Sequence, residues 1–247
     1  MDDLLIKWIY CFSVLFGFQM ILNLIKLFEK KKQIRDKQDL HLVRRFQHVM
    51  SGVIIVYLSK YLDNIILIQF FMFLALLIMV SAEVSRRYYE NINKWMANSF
   101  STFLRKEELL DKKPITSMFF ILGTFLSFIL FKYEIACLAI LTLSFGDPFA
   151  SIIGIKFGRF KLYGEKSLVG NLACGLLCGV VNAIYLTYFA TNIELQNFTN
   201  INKFVIGLIT GSLSELLPST IFYDDNASIP VYAGIMLTFI NNYLIKS

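Results

Sequence analysis

Long apolar segments almost free of charge are the feature that most limits what this chain can fold into. The segment 64–83, "NIILIQFFMFLALLIMVSAE", shows the pattern most clearly. About 20 apolar residues are enough for a helix to cross the hydrocarbon core of a bilayer. Because 56% of all residues are hydrophobic, against roughly 45 to 50% in a soluble domain, we expect a membrane protein.

The apolar segments predict an all-α fold, a polytopic transmembrane bundle of about seven to eight spanning helices. We expect one integral membrane domain over 1–247, in which 1–40 form an extra N-terminal helix and a basic loop and 41–247 form the main bundle. The first apolar segment follows two aspartates and has no cleavage site, so it is interpreted as a helix and not as a signal peptide. The segments lie near 4–28, 46–59, 64–83, 115–131, 134–152, 167–190, 203–219 and 229–245.

The distribution of Lys and Arg predicts how the bundle is oriented. Alternating spans place the basic loops 29–45, 84–114 and 153–166 on one side, which the positive-inside rule makes cytoplasmic. The net charge of +6 then reflects topology or anionic substrates, and no nucleic-acid partner is expected. The membrane would be a bacterial inner membrane or the endoplasmic reticulum.

Carboxylates occur at two places where apolar segments reach this face. Asp147 ends one segment, while Asp224 and Asp225 follow another that contains Glu215. Oxygen ligands from separate helices suit Mg²⁺, which keeps water and substrate phosphate in its other positions. Acids at membrane depth are costly and therefore usually functional. The alternative is that Asp224 and Asp225 form a solvated loop and that Asp147 caps a helix.

Small residues recur four positions apart in the segment around Asp147. They are Gly146, Ala150, Gly154 and Gly158. On a helix they share one face, which is typical of close helix packing. Equally, glycines before a basic loop allow backbone amides to approach phosphate oxygens. In that second interpretation the phosphate charge is neutralised by Lys156, Lys161 and Lys166.

Two further groups of cations lie near the same face. Arg44, Arg45 and His48 stand at the mouth of the second helix. Arg105 and Lys106 precede two glutamates, and the group is either a surface ion-pair cluster or part of a binding site.

Four motifs occur in this order along the chain: "RRFQHVMSG", "FLRKEELLDKKPITSMFFILG", "GDPFASIIGIKFGRFKLYGEKSLVGNLA" and "ELLPSTIFYDDNASIPV". Together they resemble the polyprenol kinase family, which includes dolichol kinase, phytol kinase and the CTP-dependent diacylglycerol kinase. The resemblance covers about residues 40 to 240, nearly the whole bundle, and "FLRKEE" is most similar to the diacylglycerol kinase branch.

The resemblance implies Mg²⁺-dependent transfer of the γ-phosphate of a nucleoside triphosphate, often CTP, to the hydroxyl of a membrane lipid such as diacylglycerol, polyprenol, dolichol or phytol. Asp147, Lys166 and Asp225 would be catalytic, with Asp147, Asp224 and Asp225 as metal ligands. The nucleotide phosphates would be bound by Arg44, Arg45, His48, Arg105, Lys106, Gly154, Lys156, Gly158 and Ser167.

Two other functions fit parts of the pattern. A phosphatidate cytidylyltransferase would also bring CTP to a lipid, but its C-terminal basic and glycine-rich signature is missing from this sequence. A lipid transporter would not require catalysis, but transporters usually place polar groups near the midplane, whereas the charges of this chain collect at one face.

Overall fold

The computed structural model describes residues 6, 7, 10, 13, 14, 17, 18, 20, 21, 42–100, 108, 113–191, 193–218 and 223–244. All the described residues between 6 and 21 are helical. The rest of the expected first helix and residues 29–41 of its basic loop lie outside the described residues, whereas residues 42–45 of that loop are helical.

Eight α-helices are formed by the residues that the structure describes, and a small antiparallel hairpin joins the fifth helix to the sixth. The all-α bundle expected from the sequence is therefore confirmed. In chain order the elements are α1 (Leu42–Leu62), α2 (Ile65–Tyr88), α3 (Glu90–Phe100), α4 (Thr116–Leu130), α5 (Tyr133–Phe157), β1 (Lys161–Tyr163), β2 (Lys166–Ser167), α6 (Leu168–Tyr188), a short 3₁₀ helix (Glu194–Asn197), α7 (Asn200–Leu216), α8 (Asp225–Phe239) and a π-helical turn (Ile240–Leu244).

Among the described residues, three helices are long and apolar enough to cross a membrane. They are α2, α5 and α6, and α4 is a shorter apolar helix. The protein is a membrane protein, while the larger number of spans and the cytoplasmic face remain predictions.

Helices α5 and α2 differ sharply in burial. In the most apolar part of α5, 72% of the residues are buried inside the bundle, so α5 is the central helix. The corresponding part of α2 is only 6% buried, and large side chains such as Ile66 and Ile78 are exposed. Exposure of so continuous an apolar surface is stable only if lipid chains cover it.

Small residues bring α5, α6 and α7 into close contact. A Cβ atom added to Gly146 would lie 2.8 Å from Cys174 Sγ, and one added to Gly211 would lie 2.6 Å from Cys178 Cβ. Helices packed this closely gain many dispersion contacts, which drive helix association in a membrane. For Gly146, the packing interpretation of the small-residue face is thus supported.

The helix bounds differ from the expected ones at two functional motifs. Helix α5 continues past Asp147 and Pro148 to Phe157, so Asp147 lies inside a helix and is neither at its end nor an N-cap. A proline is tolerated there because neighbouring helices and side chains can satisfy the freed carbonyl. Helix α8 already begins at Asp225 and not near 229, which turns the expected loop acids into a helix N-terminus.

Two expected loops contain regular structure. Helix α3 lies in the predicted loop 84–114, and the hairpin of β1 and β2 lies in the predicted loop 153–166. Both segments are too polar or too short to stand out as apolar periodic patterns, so the sequence did not indicate them.

Candidate active site

Several charged helix ends meet at one end of the bundle, which we call the site end. Arg45 at the start of α1 donates to Ser151 Oγ near the end of α5 at 2.7 Å. Lys166 before α6 contacts Asp225 at the start of α8. These contacts bring the start of α1 to α5 and the hairpin to the start of α8.

Lys166 and Asp225 form the ion pair at the centre of the site end. Lys166 Nζ lies 3.2 Å from Asp225 Oδ1, and it also donates to the backbone carbonyl of Glu215. The Lys166 side chain is 17% exposed and that of Asp225 is 34% exposed. Since both groups remain accessible from outside, a ligand can reach the pair without unfolding the bundle.

Glu215 is the most deeply placed acid of this group. It is 7% exposed, and its Oε2 atom is buried without a hydrogen-bond partner among the described residues. Its carboxylate interacts electrostatically with Asp147, Lys166 and Asp225. Buried acceptors are almost always satisfied, so an unsatisfied one in a polar cluster is a candidate position for a ligand contact. The sequence grouped Glu215 with the acids but assigned it no role; its position in the helix before the Asp224-Asp225 pair was the available signal.

Asp147 and Asp224 are placed differently. Asp147 is half-buried on α5, and its charge acts on both Glu215 and Cys174, which places it in the same cluster. Asp224 is the N-cap of α8, and its side chain accepts a hydrogen bond from the Asn226 amide at 2.9 Å. One oxygen of Asp224 is thereby engaged in capping, which is the ordinary role of aspartate at this position.

The predicted phosphate-binding glycines lie against Ser167. A Cβ on Gly158 would come within 2.4 Å of Ser167 Oγ, and one on Gly154 within 3.0 Å. Ser167 is itself the N-cap of α6, where its Oγ accepts from the Gly170 amide at 3.1 Å. The three residues thus fasten the hairpin to α5 and α6, and their role in phosphate binding stays a prediction.

The remaining predicted cations fall into separate places. Lys156 is exposed at the end of α5, whereas Arg105 and Lys106 lie outside the described residues. Glu108, which follows them, is buried, and its Oε1 accepts hydrogen bonds from the Thr116 amide and hydroxyl at 2.8 and 2.7 Å.

Arg44 and His48 line a second, smaller feature of the site end. Arg44 Nη2 donates to Thr116 Oγ1 at 2.7 Å, and the His48 ring packs edge-on against Phe120. Asn226 reaches the same place and donates to the Thr116 carbonyl at 3.3 Å. The cavity between them measures about 70 Å³, far below the several hundred Å³ of an ordinary ligand pocket. It can hold a small polar group and not a whole nucleotide.

A buried ion pair supports this region from α2. Arg86 is 2% exposed, and its guanidinium binds Glu83 and the backbone carbonyls of Glu108 and Lys113. Because Arg86 binds both ends of the segment 108–113, it fixes the position of the chain just before α4 relative to α2.

A larger cavity of about 430 Å³ lies at the opposite end of the bundle, between the end of α1, the starts of α2 and α5, and the chain that follows α6. Its lining includes Glu134, whose two oxygens accept from Tyr185 and Thr191. None of the predicted site residues lines it, so its size alone does not make it the candidate active site.

The acids of the site end are compatible with a magnesium ion. In the described part of the chain, no group of three or more His, Cys, Asp or Glu side chains is already assembled around a metal position. Mg²⁺ needs only one or two carboxylates, because it retains waters and binds substrate phosphates. The unsatisfied oxygen of Glu215 beside Asp147 and Asp225 fits that requirement.

Comparison with known proteins gives three informative relatives. CTP-dependent diacylglycerol kinase 1 of Eremothecium gossypii is 24% identical over 170 residues, 63% of this chain and 53% of the relative. CTP-dependent diacylglycerol kinase 1 of Saccharomyces cerevisiae is 22% identical over 208 residues, 78% of this chain and 71% of the relative. A probable chloroplastic phytol kinase of Triticum aestivum is 32% identical over 102 residues, 40% of this chain and 34% of the relative.

These relatives confirm the resemblance that the motifs predicted, because they carry the names of two of its branches. The chain spans about half the length of the first of them. No family model matches the chain, and no solved structure matches it.

Proposed function

We propose that this protein is a membrane lipid kinase that transfers the γ-phosphate of CTP to the hydroxyl of a lipid alcohol. The observation that carries the proposal is the convergence of Asp147, Lys166, Glu215 and Asp225 at one end of an apolar bundle. The names of the relatives support both the donor and the kind of acceptor.

The charges at the site end match the needs of phosphoryl transfer. Such reactions depend on positioning and on neutralising the triphosphate, with little covalent work for the protein. Lys166 is the cation suited to this task, because its ammonium group lies among acids and remains partly exposed. On nucleotide binding, Lys166 would turn from Asp225 to a phosphate oxygen.

The bond changes are simple. The lipid hydroxyl oxygen forms a bond to the γ-phosphorus, and the bond from that phosphorus to the oxygen bridging the β-phosphate breaks. Asp147 accepts the hydroxyl proton, and CDP leaves with the electron pair of the broken bond. The products are a lipid phosphate and CDP.

A magnesium ion held by Glu215 and Asp225 would supply positive charge beside the triphosphate, which leaves Asp147 to accept the hydroxyl proton. Lys166 adds a second positive charge from the protein itself. Diacylglycerol is the first acceptor to test, because two of the relatives named above are diacylglycerol kinases.

The test is a product assay on the purified protein in mixed micelles. The donors are γ-labelled CTP and ATP, and the acceptors are diacylglycerol, polyprenol and phytol, with and without Mg²⁺. We expect label in a lipid monophosphate from CTP. Formation of a CDP-lipid from phosphatidate would instead identify a cytidylyltransferase, and the absence of any turnover would contradict the proposal.

Matched aspartates provide the control for the assay. Asp147→Asn should abolish turnover while leaving the protein folded in detergent. Asp63 lies at the opposite end of the bundle with a φ of 47°, a conformation that asparagine also adopts readily, so Asp63→Asn should leave turnover unchanged.

A further inference from the structure

The hairpin between α5 and α6 carries an exposed surface that the proposed chemistry does not use. Its aromatic side chains are turned outward, with Phe157 61%, Phe160 64% and Tyr163 59% exposed. Exposed cations alternate with them, namely Lys156, Arg159 and Lys161. We call the residues 156–163 the basic-aromatic hairpin surface.

This surface is built on a fixed backbone. The Leu168 amide donates to the Phe160 carbonyl at 3.0 Å and closes the base of the hairpin. Gly158 packs so tightly against Ser167 that a Cβ would lie 2.5 Å from the Ser167 Cβ. The turn is made by Gly164 with a φ of +54°, a conformation that costs glycine little. The aromatic side chains are therefore exposed by the fold and do not belong to a loose loop.

The position of the hairpin identifies what covers it. Helix α5 ends at Phe157 and helix α6 begins at Leu168, and both helices are apolar enough to cross a membrane. A short hairpin between two such helices must lie at the boundary between hydrocarbon and water. Aromatic and basic side chains are favoured at this depth, where rings lie among the headgroups and cations attract anionic lipids.

We propose that the basic-aromatic hairpin surface docks onto anionic phospholipid headgroups next to the active site. The charge complementarity and the continuity with two membrane helices both favour lipid over a soluble partner. Docking would also affect the site, because Lys166 lies in β2 and pairs with β1 of the same hairpin. Anionic lipid would thereby hold the strand that carries Lys166 in place beside the nucleotide; this last step rests on the proposed function.

The docking itself is tested without any activity measurement. A single tryptophan is placed in the hairpin by Tyr163→Trp, after Trp8→Phe and Trp95→Phe have removed the native tryptophans. The protein is reconstituted in vesicles of brominated phosphatidylcholine with or without phosphatidylserine. We expect strong quenching by the brominated lipid, and stronger quenching with phosphatidylserine.

Replacing the three cations by glutamine, in Lys156→Gln/Arg159→Gln/Lys161→Gln, should remove the additional quenching by phosphatidylserine. Salt should weaken it as well, because exposed charges are screened. A reporter that is quenched by aqueous iodide and not by brominated lipid would overturn the proposal. So would quenching that phosphatidylserine does not change.

The effect on catalysis is tested by a matched pair of single variants. Arg159→Gln removes a hairpin cation, and Lys132→Gln removes an exposed cation at the opposite end of the bundle. We expect phosphatidylserine to raise the lipid kinase turnover of the wild type. Arg159→Gln should weaken this stimulation about fivefold, the effect of one basic residue near an anionic surface. Lys132→Gln should leave the stimulation unchanged, and equal effects of the two variants would refute the link to Lys166. If the wild type phosphorylates no lipid, the proposed function fails, whereas the quenching result still decides the docking.

Discussion

Replacing Glu215 by glutamine separates a metal-binding role of this side chain from a structural one. Glutamine keeps the shape of glutamate and removes its charge. Because Glu215 is buried, and because Asp147 and Asp225 repel its charge more strongly than Lys166 attracts it, the charged side chain costs stability in the metal-free protein. Such a cost is about 1 to 3 kcal/mol. Without metal, Glu215→Gln should therefore raise the free energy of unfolding.

The expected size of the effect can be converted into a melting temperature. For a chain of 247 residues, each kcal/mol shifts Tm by roughly 2 to 4 °C. In detergent with a chelator, Glu215→Gln should melt above the wild type. With Mg²⁺ and CTP the order should reverse, because ligand binding at a thousandfold excess over Kd adds about 4.1 kcal/mol to the wild type alone. Turnover should fall by about 10² to 10³, the usual effect of removing one preorganised charge.

Glu134 provides the matched control at the other end of the bundle. It is 6% exposed, much like Glu215, but its oxygens accept hydrogen bonds from Tyr185 and from the amide and hydroxyl of Thr191. Glu134→Gln should therefore lower stability by about 1.5 to 3 kcal/mol, with or without Mg²⁺. If Glu215→Gln destabilises the metal-free protein as Glu134→Gln does, or keeps full turnover, the assignment of Glu215 to the metal site is wrong.

Three further predictions concern other parts of the structure. Lys166→Met should raise the KM for CTP or lower kcat by about 10- to 100-fold through loss of a charged contact. Lys132→Met should change neither by more than about twofold, because Lys132 is an exposed cation at the opposite end of the bundle. Steady-state kinetics with both variants checks this, and equal losses would contradict it. Gly146→Ala should destabilise the bundle by about 1 to 3 kcal/mol through overpacking against Cys174 Sγ. The double variant Gly146→Ala/Cys174→Ala should recover part of this loss in thermal melts, and no recovery would argue against that contact. Arg86→Met should cost about 3 to 5 kcal/mol, because it removes the buried partner of Glu83 and the donor to the Glu108 and Lys113 carbonyls. Arg87→Met removes a 47% exposed partner of the same Glu83 and should cost about 1 kcal/mol or less. Similar melting temperatures for the two variants would refute the difference.

The apolar helices could be predicted from the sequence because their signal is local. Helix α2 is a continuous apolar run, and its observed bounds, Ile65–Tyr88, begin within one residue of the expected segment 64–83. The expected end of α5 was too early, since Pro148 and Asp147 resemble a helix boundary. Only the neighbouring helices, which are not visible in a linear pattern, make a proline acceptable at that point.

The sequence predicted which residues belong to the candidate site, but it did not predict the contacts that they make. Asp147, Lys166 and Asp225 were expected to act together, and the structure brings them to one end of the bundle. The unsatisfied oxygen of Glu215 and the capping by Asp224 depend on three-dimensional packing, which no spacing in the sequence encodes. Ser167 and Gly158 show the same limit, because their mutual contact across the hairpin exists only once α5 and α6 are packed.

The low burial of α2 also determines which of its residues can change during evolution. Gln69 holds one end of this helix by donating to the Phe128 carbonyl at 2.8 Å, and Glu83 and Arg86 hold the other. Between these fixed points lipid is the principal neighbour, and lipid does not distinguish leucine from isoleucine or phenylalanine. Descendants of this gene can therefore exchange apolar residues along most of α2 almost without selection, while the few polar residues at its ends must persist.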